Sequence, residues 1–95
     1  MTLCLVLHEL PEGGAEAMEA SIWELSESHC MLKGGMLVDT SVSPNYLHSH
    51  LRRALTGAGL EGKLLVTHVT QDVHMSGMDP DVAGWIEGSL KAAAE

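Results

Sequence analysis

The sequence is short and acidic: its 95 residues are 45% apolar and 19% charged, and thirteen acidic residues against five basic ones give a formal net charge of −8. This length allows one globular domain, residues 1–95, and the composition is not that of a disordered chain. The negative charge argues against nucleic acid as a partner, because binding to a phosphate backbone depends on Lys and Arg, and it is compatible with a basic protein partner.

The apolar runs are only a few residues long, too short for a membrane-spanning helix, and the N-terminus lacks the basic and then apolar segments of a secretory signal. We therefore expect a cytoplasmic protein. The two cysteines, Cys4 and Cys30, form no C-x-x-C pair, so reduced, buried thiols are expected, with a Cys4–Cys30 disulfide as the alternative. No nucleotide-binding or catalytic signature motif is present, and no cofactor is predicted.

Residues 2–8, TLCLVLH, are rich in leucine and valine and are followed by Pro11 and Gly13-Gly14, which predicts a buried strand. A first helix is predicted from Ala15 to about Ser28, because apolar residues recur there at intervals of three and four. The face that this helix would bury contains Ala15, Met18, Ile22 and Leu25.

The stretch CMLKGGMLVD, which begins at Cys30, has two apolar runs around Gly34-Gly35 and predicts a hairpin of strands two and three. A second helix is predicted over 44–57, with Pro44 at its first position and an apolar stripe that includes Leu47 and Leu51. Residues 63–69, KLLVTHV, predict strand four. Asp79 and Pro80 then begin a last helix whose shared face contains Val82, Ile86, Leu90 and Ala93.

The predicted order is β-α-β-β-α-β-α, an α+β fold of the ferredoxin-like, split βαβ type with an added C-terminal helix. Residues 70–78 fit either a short fifth strand or an irregular connection. In this fold two helices cover one face of a four-stranded antiparallel sheet, and the other face needs a cover of its own. A second copy would supply one, so a homodimer is expected, although an extra element of the chain could also cover it.

This arrangement resembles the SinR-like small bacterial proteins, which are similar in fold to VapD toxins and to the small nuclease subunit of CRISPR adaptation. The resemblance spans nearly the whole chain, and its most specific part is the DV-x-x-W-(I/L) helix, here Asp81, Val82, Trp85 and Ile86. It implies a ferredoxin-like fold and homodimers.

The nuclease relatives also imply an aspartate at the tip of the first strand, where this sequence reads VLHEL, with His8 and Glu9. A metal-dependent ribonuclease using Glu9 or Asp39 is therefore one alternative function. Imidazole is a poor substitute for the carboxylates that Mg²⁺ prefers, and consecutive residues of a strand point to opposite sides. His8 and Glu9 are accordingly not predicted to act together.

Two histidine-rich segments raise the question of a metal site. His74, Met75 and Met78 could attract a soft ion such as Cu(I), but methionines more often fill packing gaps and Asp79 suits a helix cap, which favours a connecting segment. His48 and His50 are two residues apart, about 200° around a helix, so they cannot share an ion. No metal ligand is predicted.

The most distinctive surface is the first helix, which carries several glutamates and no basic residue. On a helical wheel Glu16, Glu19 and Glu27 surround Trp23, about 120° from the apolar face. Trp23 is then either covered by the C-terminal segment or exposed for a partner. We interpret the chain as a non-catalytic interaction protein with an interface at Trp23, Glu16, Glu19 and Glu27, or as an acidic inhibitor or antitoxin that imitates nucleic-acid charge.

Overall fold

A computed structural model describes the backbone of residues 2–94 and the side chains of residues 2–91. Its four strands form one antiparallel sheet in the order β2-β3-β1-β4, and three helices accompany them, so the α+β class and the C-terminal helix are confirmed. The elements in chain order are β1 (Thr2–Glu9), α1 (Gly14–Ile22), β2 (Ser26–Leu32), β3 (Gly35–Thr40), α2 (Pro44–Gly57), β4 (Lys63–His68) and α3 (Pro80–Ala94).

Helices α1 and α2 cover one face of the sheet and enclose the larger core. Side chains alternate between the two faces of a strand, so every second residue of β1 and β3 enters this core. The members that are almost completely buried are Cys4, Val6, Met18, Ile22, Met36, Val38, Leu47, Leu51 and Leu55, which we call the first core.

Helix α3 and the segment before it cover part of the opposite sheet face. Leu3 and Leu37 project from the sheet into this second core, and Ile86 and Leu90 of α3 pack against them. Val82 also contacts this core, whereas the side chain of Ala93, predicted on the same face, lies outside the described residues. An element of the chain itself therefore covers much of the face for which a second copy was expected.

Residues 70–78 form an irregular connection, so the fifth strand that the sequence allowed does not form. The Val69 amide donates to the Leu3 carbonyl at 2.8 Å, and the Gln71 side-chain amide donates to the Leu90 carbonyl. Met75 and Met78 pack against the second core. The segment thus holds α3 on the sheet.

The first helix is shorter than the sequence predicts: α1 ends at Ile22 instead of about Ser28, and β2 begins at Ser26 instead of Cys30. The spacing of apolar residues predicted too long a helix, because Leu25 has the helical spacing but packs against the first core from outside the helix. Its carbonyl accepts a hydrogen bond from Thr40 Oγ1 at 2.7 Å, which draws the chain toward β3. Pairing with β3 then makes a strand of SESH, a sequence with little strand propensity of its own.

The predicted hairpin of β2 and β3 is confirmed, but its turn consists of Lys33 and Gly34, with Gly35 already in β3. Gly34 has φ 79°, a conformation that favours glycine. Gly35 is needed for another reason: a Cβ there would lie 2.9 Å from the Val6 carbonyl oxygen. The two glycines therefore do different jobs.

Helix α2 spans Pro44–Gly57, as the sequence predicts, and Ser43 Oγ caps it by accepting from the Tyr46 amide at 3.2 Å. Asp79 is likewise confirmed as the cap of α3, because its Oδ1 accepts from the Asp81 amide at 2.8 Å. Within residues 2–94, none of the helices has the length and apolar character needed to cross a membrane.

The two cysteines lie on opposite faces of the sheet, Cys4 in the first core and Cys30 against the second, and both are free thiols. Burial raises the pKa of the Cys4 thiol. We expect Cys30 to react with an aromatic disulfide reagent and Cys4 to react on the order of 10-fold or more slowly until the protein unfolds. Stopped-flow absorbance on the Cys30→Ala variant should show only the slow phase; loss of the fast phase in Cys4→Ala instead would contradict this assignment.

Candidate interaction surface around Trp23

Trp23 is the C-cap residue of α1, and its side chain is 69% exposed. Helix α3 packs on the opposite face of the sheet and therefore does not cover it. Of the two arrangements that the sequence left open, the exposed one is present. The second tryptophan, Trp85 of α3, is half-buried, and its indole nitrogen donates to Ser28 Oγ at 2.9 Å.

The imidazole of His29 contacts and orients the indole ring of Trp23. The two rings meet in a T-shaped contact, with centroids 4.8 Å apart and an interplanar angle of 88°. His29 lies on β2 with its side chain only 8% exposed, and its Nε2 is 3.7 Å from Glu19 Oε2. Such an aromatic contact orients a large exposed side chain, so less conformational entropy is lost when a partner covers it.

A second histidine and carboxylate meet beside the first pair. His50 Nε2 lies 3.7 Å from Glu24 Oε2 and 3.2 Å from the Ser21 carbonyl oxygen, which joins α2 to the end of α1. The Glu24 side chain is 73% exposed, so its carboxylate remains accessible. We define the Trp23 surface as Glu19, Trp23, Glu24, His29 and His50.

The predicted interface set is only partly brought together. Glu16 and Glu19 lie on α1, as expected, but Glu27 lies on β2, at the irregularity in register between Ser26 and Ser28. The helical wheel that placed Glu27 beside Trp23 was therefore wrong, because α1 ends at Ile22 and does not reach Glu27.

Sequence reasoning missed three members of the Trp23 surface: Glu24, His29 and His50. Glu24 was noted only as one of many glutamates of the first helix. His29 reaches Trp23 only because β2 begins at Ser26, and no local sequence pattern predicts a strand start at that residue. His50 was considered as a possible metal ligand of the second helix, and its contact with Glu24 depends on how α1 packs against α2.

His8 and Glu9 do not form a joint site. They are opposite Leu64 and Lys63 in consecutive register positions, so their side chains point to different sides of the sheet. Glu9 Oε2 instead contacts Lys63 Nζ at 3.3 Å, with both side chains exposed. Such surface pairs contribute at most about 1 kcal/mol.

Asp39 lies far from Glu9. It is opposite Leu3 in the register, at the other end of β1, and six residues of a strand span roughly 20 Å. The Oδ1 atom of Asp39 is buried and has no hydrogen-bond partner among the described residues. Glu9 and Asp39, the alternative carboxylates of the ribonuclease hypothesis, therefore occupy separate places on the sheet.

His74 and His48, which the sequence raised as possible metal ligands, lie in separate places on the surface. His74 Nε2 contacts Asp72 Oδ1 at 2.8 Å on a fully solvated surface, while Met75 and Met78 pack toward the second core. His48 lines a groove between α2 and β4, away from the Glu24 contact of His50, in agreement with the expectation that the two do not share an ion.

In the part of the chain that the structure describes, no group of three or more His, Cys, Asp or Glu residues is arranged to hold a metal ion. Comparison of the chain with protein-family models, with curated proteins and with solved structures finds no match. Its function therefore has to be inferred from its own surfaces, of which the Trp23 surface is the most distinctive.

Proposed function

We propose that this chain is a non-catalytic, cytoplasmic interaction protein that acts as a homodimer and binds a basic protein partner through the Trp23 surface. The sheet order β2-β3-β1-β4, with α1 and α2 on one face, supports a ferredoxin-like fold as part of this proposal. Kinship with the SinR-like small bacterial proteins belongs to the same proposal.

The single observation that carries the proposal is the 69% exposure of Trp23 beside two glutamates. Tryptophan is enriched among residues that dominate binding energy, because it buries a large area with few rotatable bonds. Glu19 and Glu24 add negative charge at the rim, which attracts a basic partner and accelerates encounter. An arginine or lysine of the partner can also lie on the indole face.

The homodimer is supported by apolar side chains that α3 leaves uncovered. Leu7 and Leu65 are 47% and 53% exposed, and they are neighbours on the sheet face of the second core. Contiguous exposed leucines are unfavourable in water and are typical of association surfaces.

An acidic inhibitor or antitoxin is a special case of the same function. The carboxylates of the Trp23 surface would then occupy a site that normally receives phosphate groups. The ribonuclease alternative, which would use Glu9 or Asp39, draws little support from either residue, because the Glu9 carboxylate already contacts Lys63 and Oδ1 of Asp39 is buried.

The binding proposal can be tested with a fluorescein-labelled ten-residue arginine peptide, whose anisotropy reports binding. We expect Trp23→Ala to weaken binding about 2- to 30-fold through loss of the cation–π contact. Glu19→Gln with Glu24→Gln should weaken binding and also reduce its dependence on salt concentration, since screening acts on charge pairs.

The matched control is Glu87→Gln, an exposed glutamate on α3 at the other face of the sheet. It removes one negative charge without touching the Trp23 surface, so binding should stay within about 2-fold of the wild type. If Glu87→Gln weakened binding as much, per charge removed, as Glu19→Gln with Glu24→Gln, the peptide would sense only net charge, and the assignment of the surface would be wrong.

A further inference from the structure

We propose that two copies of this chain pair along β4, antiparallel about a two-fold axis through Val66, so that their sheets join into one continuous sheet of eight strands. This inference rests on the proposed homodimer and specifies how the two copies meet. The alternative geometry is a face-to-face dimer, in which the exposed leucines of two sheets stack against each other.

Strand β4 is an open edge of the sheet. Its pairing with β1 runs without interruption from Lys63 to His68, and its other side has no neighbouring strand among residues 2–94. A groove of about 520 Å³, lined by Arg52, Thr56 and Leu64 among others, lies between this strand and α2. Open edges carry a row of unpaired amides and carbonyls that favour pairing with another strand.

The other edge is protected. Strand β2 has its register irregularity between Ser26 and Ser28, and the exposed Glu27 lies at that point. Bulges and charges are common devices against unwanted strand pairing. By contrast, residues 64–67 of β4 read LLVT, and the charge of Lys63 is already matched by Glu9 of the same chain.

The hydrogen-bond pattern sets the position of the axis. The Val69 amide points to β1, because it donates to the Leu3 carbonyl, and successive residues of an antiparallel strand alternate in direction. The amides of Leu64, Val66 and His68 therefore point outward. An axis through Val66 pairs Val66 with itself and Leu64 of each copy with His68 of the other, which gives about six new main-chain hydrogen bonds.

The apolar patch continues across this junction. Leu7 and Leu65 are direct neighbours in the register of β1 and β4, and both are about half exposed. In the proposed pairing Leu65 of each copy lies opposite Thr67 of the other, so the Leu7 and Leu65 side chains of both copies form one strip. Burial of these leucines adds hydrophobic stabilisation to the hydrogen bonds.

Charge indicates a second copy as the occupant of this edge. Two chains of charge −8 repel each other and can approach most closely where the local charge is balanced. Glu9 pairs with Lys63 at one end of β4, and Arg52 and Glu61 both line the groove between β4 and α2, so acidic and basic residues are evenly matched around this strand. An antiparallel strand pair about a two-fold axis is also self-complementary, as a symmetric dimer requires.

The test is light scattering after size exclusion at high micromolar concentration on the wild type and three variants. His68→Pro removes an outward amide and no bond to β1, and Leu65→Lys places a charge at the junction; each should weaken dimerisation about 10- to 100-fold. Leu32→Lys carries the same change on the same face but on β2, and should remain a dimer.

The outcomes separate the inference from the proposed function. A wild type that stays monomeric overturns both the homodimer and the pairing. A dimer that Leu32→Lys dissociates but His68→Pro does not is a face-to-face dimer, which overturns the pairing alone. Amide exchange followed by NMR needs no variant: the Leu64, Val66 and His68 amides should be protected in the dimer, and rapid exchange of these three would refute the pairing even if His68→Pro fails to fold.

Discussion

Leu51→Ala is expected to lower the free energy of unfolding by about 3–5 kcal/mol, a large part of the stability of a domain of this size. Leu51 of α2 is completely buried in the first core, where both covering helices and the sheet meet. Truncation removes apolar contacts and leaves a cavity that its neighbours can only partly fill. Urea unfolding followed by circular dichroism at fixed protein concentration measures the change.

The matched control is Leu32→Ala, which deletes the same atoms from a side chain that is 38% exposed. We expect it to cost about 1 kcal/mol or less, because much of that side chain already contacts water. Similar losses for the two variants would mean that Leu51 is not at the centre of the packed core.

Ile86→Asp is expected to destabilise the protein by at least about 3 kcal/mol, because it places an unpaired carboxylate in an apolar site. Ile86 is 2% exposed between α3 and the sheet, beside Leu3 and Leu37. The substitution should also detach α3 from the sheet and expose Leu3 and Leu37 to water. Binding of a hydrophobic dye and concentration-dependent aggregation should therefore both increase.

Gly84→Asp tests whether charge on α3 is itself harmful. Gly84 lies on the same helix, is exposed, and a Cβ there would meet nothing within 4 Å. Its replacement should change the free energy of unfolding by less than about 1 kcal/mol. If Ile86→Asp proved as stable as Gly84→Asp, the packing of α3 on the second sheet face would be refuted.

Helix α2 shows how much the sequence could predict about the fold. Ser43 and Pro44 mark its start, Leu47 and Leu51 define its buried face, and these local signals agree with one another. The boundary between α1 and β2 could not be predicted in this way. Leu25 continues the helical period while belonging to a turn, and the strand after it forms because β3 supplies the hydrogen bonds.

The Trp23 surface shows the same limit for the candidate site. Trp23 and Glu19 could be selected from the sequence, because a tryptophan among glutamates is unusual on a helix surface. The contacts with His29 and His50 could not, since they join residues from β2 and α2 whose spacing along the chain carries no periodic signal. Tertiary packing decides which side chains meet.

Strand β1 is apolar toward both faces of the sheet: Leu3 enters the second core and the next residue, Cys4, enters the first. If β1 paired with its neighbours one residue out of register, the apolar side chains of the two faces would simply change places. The free-energy cost of burying polar side chains, which usually prevents such a shift, is therefore largely missing here. The two-residue turn at Lys33 and Gly34, and the close approach of Gly35 to the Val6 carbonyl, restrict the alignment instead. Correct strand alignment in this protein therefore depends on two adjacent glycines that contribute almost nothing to either core.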